Sequence, residues 1–168
     1  MGGIYAPRIH RLGPENATLS VHTKRGGAAA KAGHDLELHV TAWEATFDES
    51  SAELTADASS LRVVRGTGGM QALGDEDKDN IRKTIDQDVL QKRNIVFRST
   101  RVDGSHVEGD LTLGDATQPI AFDLERDDDG RIHARAVVTQ TRWGMKPFSA
   151  LFGALKVLDD VEVRLQSR

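Results

Sequence analysis

The 168-residue chain carries 22 Lys and Arg against 26 Asp and Glu, a net charge of −4, with the two signs interleaved, which excludes a dedicated nucleic-acid binder or an anionic-membrane anchor. Its length suits one domain, able to bury a single core or enclose one cavity. Cysteine is absent, which excludes disulfides and thiolate metal ligands. No run is apolar and long enough to span a bilayer or to act as a secretory leader, so the expectation is a soluble, cytoplasmic protein without stable membrane insertion.

Most of the chain alternates in steps of two. Leu19, Val21 and Thr23 alternate with Ser20, His22 and Lys24, and a loop of small residues over 26–33 leads to the stretch AGHDLELHV at 32–40. There His34 is in phase with Leu36, Leu38 and Val40, so an imidazole faces the same interior as the aliphatic residues. The apolar phase then moves from even to odd positions at Trp43, Ala45 and Phe47, as an extra residue in a β-bulge near Ala42 would produce. Leu54, Ala56 and Ala58 form the next face, and Leu61 and Val63 shift phase again.

The segment 75–90 breaks the pattern. Ile81, Ile85 and Val89 recur every fourth position, with acids in the first turn and Lys92 and Arg93 just beyond, which predicts a helix between the third and fourth strands. Further strands are predicted over 95–102, 107–113, 120–125, 132–140 and 157–165. The turn signals DGS, GDAT and DDDG stand among them. PFSALFGAL, 147–155, reads as a short amphipathic helix or an apolar loop before the last strand.

These elements predict an all-β fold of about eight antiparallel strands with one inserted α-helix, closed into a barrel to remove sheet edges. A barrel of this size holds side chains or one small ligand. Ala56, Ala58, Gly109, Ala134 and Ala136 all fall in inward phase, and aromatics make up only 5% of the chain, which points to a hollow interior suited to an apolar guest. The alternative is a packed interior in which small residues face large ones.

Taken together, GHDLELHV, ADASSLRVVRGTGG, DKDNIRKTIDQDVLQKRNIVFRST, VEGDLTLGDATQPIAFDL and TRWGMKPFSALFGALKVLDDVEVRLQ resemble, in order and spacing, the YceI-like, polyisoprenoid-binding family. The resemblance runs over almost the whole chain, as a single domain over 1–168 whose core spans about 17–167, with 1–16 as an N-terminal extension. It implies a lipocalin-like, eight-stranded antiparallel barrel that holds a long amphiphilic lipid such as a polyisoprenoid, a homodimer, and no catalysis.

Enzyme signatures are weak. GTGGMQALG, 66–74, lacks the Lys-Ser or Lys-Thr of a phosphate loop and reads as a connection into the helix. RDDDGR, 126–131, lacks the closing glutamate of a calcium loop and reads as a hairpin turn. Alternation sends His22, His39 and His133 outward, leaving too few convergent ligands for a metal. Ser99, His34 and Asp159 share the inward phase, but a shared face does not make a triad. No cofactor is expected. The inferred lining is Leu36, Leu38, Val40, Trp43, Phe47, Phe97, Leu111, Phe122 and Val138, with His34, Ser99 and Gln140 as polar contacts. Trp143 is a plug or a wall against an acyl or prenyl chain, and Phe148, Leu151, Phe152 and Leu155 offer core packing or a flap over the mouth. The function expected is transport, storage or sequestration of an isoprenoid or fatty-acid-like lipid. Two alternatives stand beside it: a small barrel enzyme using His34 as acid or base on a hydrophobic substrate, and an empty barrel serving assembly or stress protection.

Overall fold

The computed structural model describes residues 10–28, 30–69, 73–85, 94–150 and 155–168. Alternating apolar positions become strands over most of the expected segments, because period-two patterning gives each strand one face to bury. In chain order the strands of the main sheet are β1 (His10–Leu12), β2 (Ala17–Thr23), β4 (Asp35–Val40), β5 (Trp43–Phe47), β6 (Ala52–Ala56), β7 (Leu61–Thr67), β8 (Ile95–Asp103), β9 (His106–Leu113), β10 (Ala116–Arg126), β11 (Ile132–Thr139) and β14 (Asp160–Ser167). They pair antiparallel in the order β1, β5, β6, β8, β9, β10, β11, β14, β2, β4, β7. A small second sheet joins β3 (Arg25–Gly26), β12 (Ser149–Ala150) and β13 (Leu155–Val157).

The main sheet therefore has eleven strands among the described residues, not eight. The phase change near Ala42 is the chief reason. It is not a bulge within one strand but the end of β4 and the start of β5. Thr41 and Ala42 leave the ladder, and their backbone N–H groups donate to the Ser60 carbonyl and the Ser60 hydroxyl, both at 3.0 Å. The facing strand breaks at the same level. A one-turn helix, Ala58–Ser60, separates β6 from β7, its first turn capped by the Asp57 carboxylate on the Ser59 N–H at 2.9 Å. β4 and β7 lie at one end of the strand order while β5 and β6 lie towards the other. The sheet thus curls, with the β4–β5 and β6–β7 connections turning this corner together. The added strand β1 pairs His10, Arg11 and Leu12 with Phe47, Thr46 and Ala45, so the sheet takes in the end of the segment read as an extension.

α1 (Asp75–Thr84) lies between β7 and β8. It starts where the Asp77 carboxylate accepts the Gly74 N–H at 3.1 Å, a side chain satisfying a backbone donor at the N-terminus. The predicted continuation over 86–90, including Val89, lies outside the described residues. Of the segment 147–155, Pro147 and Phe148 run without regular structure, and the other described residues are strand where a helix or an apolar loop was expected. Ser149 and Ala150 pair with Lys156 and Leu155, and the last predicted strand is split. β13 turns away to β3, and β14 returns to the main sheet after Leu158 and Asp159. The core gathers Leu38, Val40, Phe47, Phe97, Val107, Leu111, Val138 and Trp143 under one surface. No helix among the described residues is long and apolar enough to cross a membrane.

Candidate functional site

Inside the curled sheet lies a cavity of about 520 Å³, within the roughly 300–1,000 Å³ typical of small-molecule sites. Inward positions of every long strand reach it. Leu19, Val21 and Thr23 come from β2, Leu36, Leu38 and Val40 from β4, Phe97 from β8, Leu111 from β9, Phe122 from β10 and Val138 from β11. Ile81 and Ile85, the apolar face of α1 and its cap, line one end.

The small residues separate into two groups. Ala56, Ala134 and Ala136 line the cavity and leave its volume open. Gly109 does not. A Cβ there would stand 2.6 Å from the Phe97 ring and 2.4 Å from the Arg98 carbonyl oxygen, so this glycine lets an aromatic ring approach the backbone closely. Phe97 in turn meets Phe122 at 5.3 Å between centroids, tilted by 57°. Ala58 is buried in the core at the corner, away from the cavity.

Of the residues expected to line the interior, His34, Leu36, Leu38, Val40, Phe47, Phe97, Leu111, Phe122, Val138, Gln140 and Phe148 do so. Three do not. Ser99 accepts the Ala52 N–H on its hydroxyl at 2.8 Å, serving a backbone donor where the ladder between β6 and β8 ends at Glu53 and Arg98. Trp43 is buried at the corner beside Glu44, Thr55 and Asp57, and its indole N–H has no partner among the described residues. Trp143, 1% exposed, donates its indole N–H to the Leu111 carbonyl at 2.8 Å behind the cavity wall, where it is core. Phe152 and Leu151 fall outside the described residues.

The polar groups are few and mostly engaged. The Gln140 amide donates to the carbonyls of Leu158 and Asp159 at 3.3 and 3.4 Å, bracing the break between β13 and β14. The Asp159 carboxylate accepts the Thr141 N–H at 2.8 Å and hydroxyl at 2.5 Å. Ser99 and Asp159 are thus committed to separate structural tasks. The Thr23 hydroxyl is buried with no partner among the described residues. No three His, Asp or Glu side chains among the described residues come together to hold a metal.

One end of the cavity is polar in a way the sequence reading did not single out. Arg25 continues the odd phase of Leu19, Val21 and Thr23, and the cavity is bounded there by Arg25, Gly33, His34 and Lys156, with Asn80 and Thr84 from α1. The signal was available in that phase, but a charged residue past a strand end reads as surface.

The chain is similar in structure to the crystal structure of Burkholderia cenocepacia BcnA, with a TM-score of 0.57 over 90% of this chain and 94% of that one. At 13% sequence identity the likeness concerns the fold. The sequence matches none of the curated proteins with which it was compared. The family model of the YceI-like domain matches residues 11–168, from β1 to the carboxyl end. The chain belongs to the YceI-like family.

Proposed function

We propose that the protein binds a long-chain amphiphilic lipid, a polyisoprenoid or a fatty-acid-like molecule, inside the curled sheet, and carries or sequesters it without chemical turnover. One observation supports this above all. A cavity of about 520 Å³ runs between the sheet faces with Leu, Val, Ile, Phe and Ala as its main lining. Moving an apolar chain from water into such a space contributes roughly 0.8 kcal/mol per CH₂, before the losses of chain and rigid-body freedom. Leu36, Leu38, Val40, Phe47, Phe97, Leu111, Phe122 and Val138 would hold the chain, and His34, Gln140 and Phe148 stand towards its end. Binding is favoured over an enzyme using His34 because Ser99 and Asp159, the partners such a reaction would recruit, are held by backbone groups. A homodimer belongs to this reading through the family resemblance, and light scattering at micromolar concentration tests it.

The deciding experiment is organic extraction of the purified protein followed by mass spectrometry. The expected result is one long-chain lipid class in amounts comparable to the protein. Protein that yields no lipid, and that neither takes up a fluorescent fatty acid nor releases an apolar dye to one, would overturn the reading.

A further inference from the structure

Two consecutive glycines, Gly68 and Gly69, follow β7 with φ of +80° and +74°. This left-handed region is open to glycine at little cost. Each makes room for a functional side chain. A Cβ on Gly68 would fall on the Arg25 guanidinium, and one on Gly69 would stand 2.5 Å from His34 Nε2. The turn therefore backs an arginine and a histidine laid side by side, and both line the cavity. Lys156, opposite Gly26 on the neighbouring strand, lines the same end.

Arg25 and Lys156 bring positive charge to this end of the cavity. Arg25 Nη1 donates to the carbonyls of Gly33 and Thr67 at 3.1 and 3.4 Å, which fixes the guanidinium plane without neutralising it. Among the described residues neither Arg25 nor Lys156 forms an ion pair. The nearby Asp35 carboxylate is taken by the Arg25 backbone N–H at 2.9 Å and by Lys24 at 3.7 Å. On α1, Asp77 holds Gly74, while Asp79 pairs with Arg82 and Lys83 at 3.1 Å, and none of these acids lines the cavity. The other charged lining residues, Glu53 and Arg135, lie on β6 and β11, and Arg135 is already paired with Glu162 at 3.3 Å.

We propose that the end of the cavity bounded by Arg25, His34 and Lys156 is a head-group site for an anionic amphiphile, an apolar chain ending in a phosphate or carboxylate. This inference rests on the lipid-cavity reading above and names the class of its ligand. A guanidinium held in plane by two carbonyls presents its remaining N–H donors as a fork that suits two oxygens of one anion. Beside an apolar cavity that attraction is less screened than in open water. The Lys156 ammonium adds a second charge, and the Asn80 and Thr84 side chains add neutral polar groups.

The test measures displacement of a cavity-bound apolar dye by hexadecyl phosphate and by hexadecanol, which share one chain, and by inorganic phosphate. Wild type is expected to bind hexadecyl phosphate about tenfold or more tightly than hexadecanol, the scale of a hydrogen bond to a charged group. Arg25→Gln should remove most of that preference and Lys156→Gln about a threefold part of it, as a more exposed cation would. Hexadecanol, which carries no charge, should lose much less affinity than hexadecyl phosphate in both. Lys156→Gln lies on an exposed strand position and keeps the test informative if Arg25→Gln folds poorly. Equal affinity for the two amphiphiles in wild type, or a preference that survives both substitutions, would overturn the head-group site while leaving the lipid cavity standing. Failure of both amphiphiles to displace the dye would overturn both readings. Competition by inorganic phosphate as strong as that by hexadecyl phosphate would assign the site to a free anion and overturn it as a lipid site.

Discussion

The imidazole of His34 packs on the backbone of Gly69, its Nε2 lying 2.5 Å from where a Cβ on that glycine would stand. Two separate effects forbid a side chain at Gly69, the left-handed φ and the ring. Gly104, with φ +60° and nothing within 4 Å of its virtual Cβ, isolates the first. Gly104→Ala should therefore cost about 1–2 kcal/mol, the conformational penalty alone. Gly69→Ala should cost more, and the excess should vanish in a His34→Ala background, where the clash is absent. Urea unfolding of the four variants measures this. Equal costs for the two glycines would show that His34 yields freely.

Cavity space predicts a contrast between filling a hollow and overfilling a core. Ala134→Phe and Ala136→Leu project into the cavity and should abolish uptake of an apolar dye with little change in unfolding free energy. In a packed core the same enlargements would cost about 1–3 kcal/mol. Gly109→Ala supplies the packed comparison, since its Cβ would press on Phe97 and the Arg98 carbonyl, and it should lower stability within that range. Strong destabilisation by both alanine replacements would count against an open interior.

The contrast between Ala134 and Gly109 shows what the sequence discloses and what it withholds. Alternation is a local property, so the inward face of each strand was legible from phase alone, including the placement of His34 with Leu36, Leu38 and Val40. Ile81 and Ile85 were legible in the same way from a helical period. What faces what across the sheet depends on register, which no local pattern carries. Gly109 and Ala134 look alike in sequence, yet only one lies under a phenyl ring. Ser99 is inward by phase but is drawn to a backbone N–H because the ladder beside it ends one residue early. Phase shifts at 40–43 and 56–61 were visible as irregularities. Their cause, two strands turning the same corner together, is a tertiary fact.

Trp143 illustrates how a residue read as ligand wall can be a structural bond. Its N–H satisfies the Leu111 carbonyl in a fully enclosed setting. Trp143→Phe keeps an aromatic ring but removes that hydrogen bond, leaving the Leu111 carbonyl only its place in the ladder opposite Gln118, and opens a small void. A loss of about 1–2 kcal/mol is expected for the lost bond and the void together. Affinity for an apolar ligand should not change, because Trp143 does not line the cavity. Chemical denaturation together with dye binding checks both halves, and a variant of unchanged stability that binds more weakly would return Trp143 to the cavity wall.

Two outward histidines should titrate in opposite directions from their ordinary value of 6.5. His106 is about half-exposed and faces Glu108 and Asp123 at 3.2 and 3.4 Å. Hydrogen bonds to Glu108 and then Asp123 favour its charged form and raise its pKa. His22 is partly buried on the outer face of β2, where its Nε2 meets the Ser20 hydroxyl at 2.9 Å. Burial, and then the Arg164 charge, lower its pKa against the opposing pull of Glu37 and Glu162. The linkage signs follow. The contribution of His106 to stability is fully present below 6.5 and lost as pH rises through its raised folded value. That of His22 is present above 6.5 and lost as pH falls through its lowered folded value. Ring resonances followed by NMR should give a midpoint above 6.5 for His106 and below it for His22. Glu108→Gln should lower the first and leave the second in place, while Arg164→Gln should raise the second. A His106 midpoint at or below 6.5, or one insensitive to Glu108→Gln, would remove the carboxylate pairing as the cause.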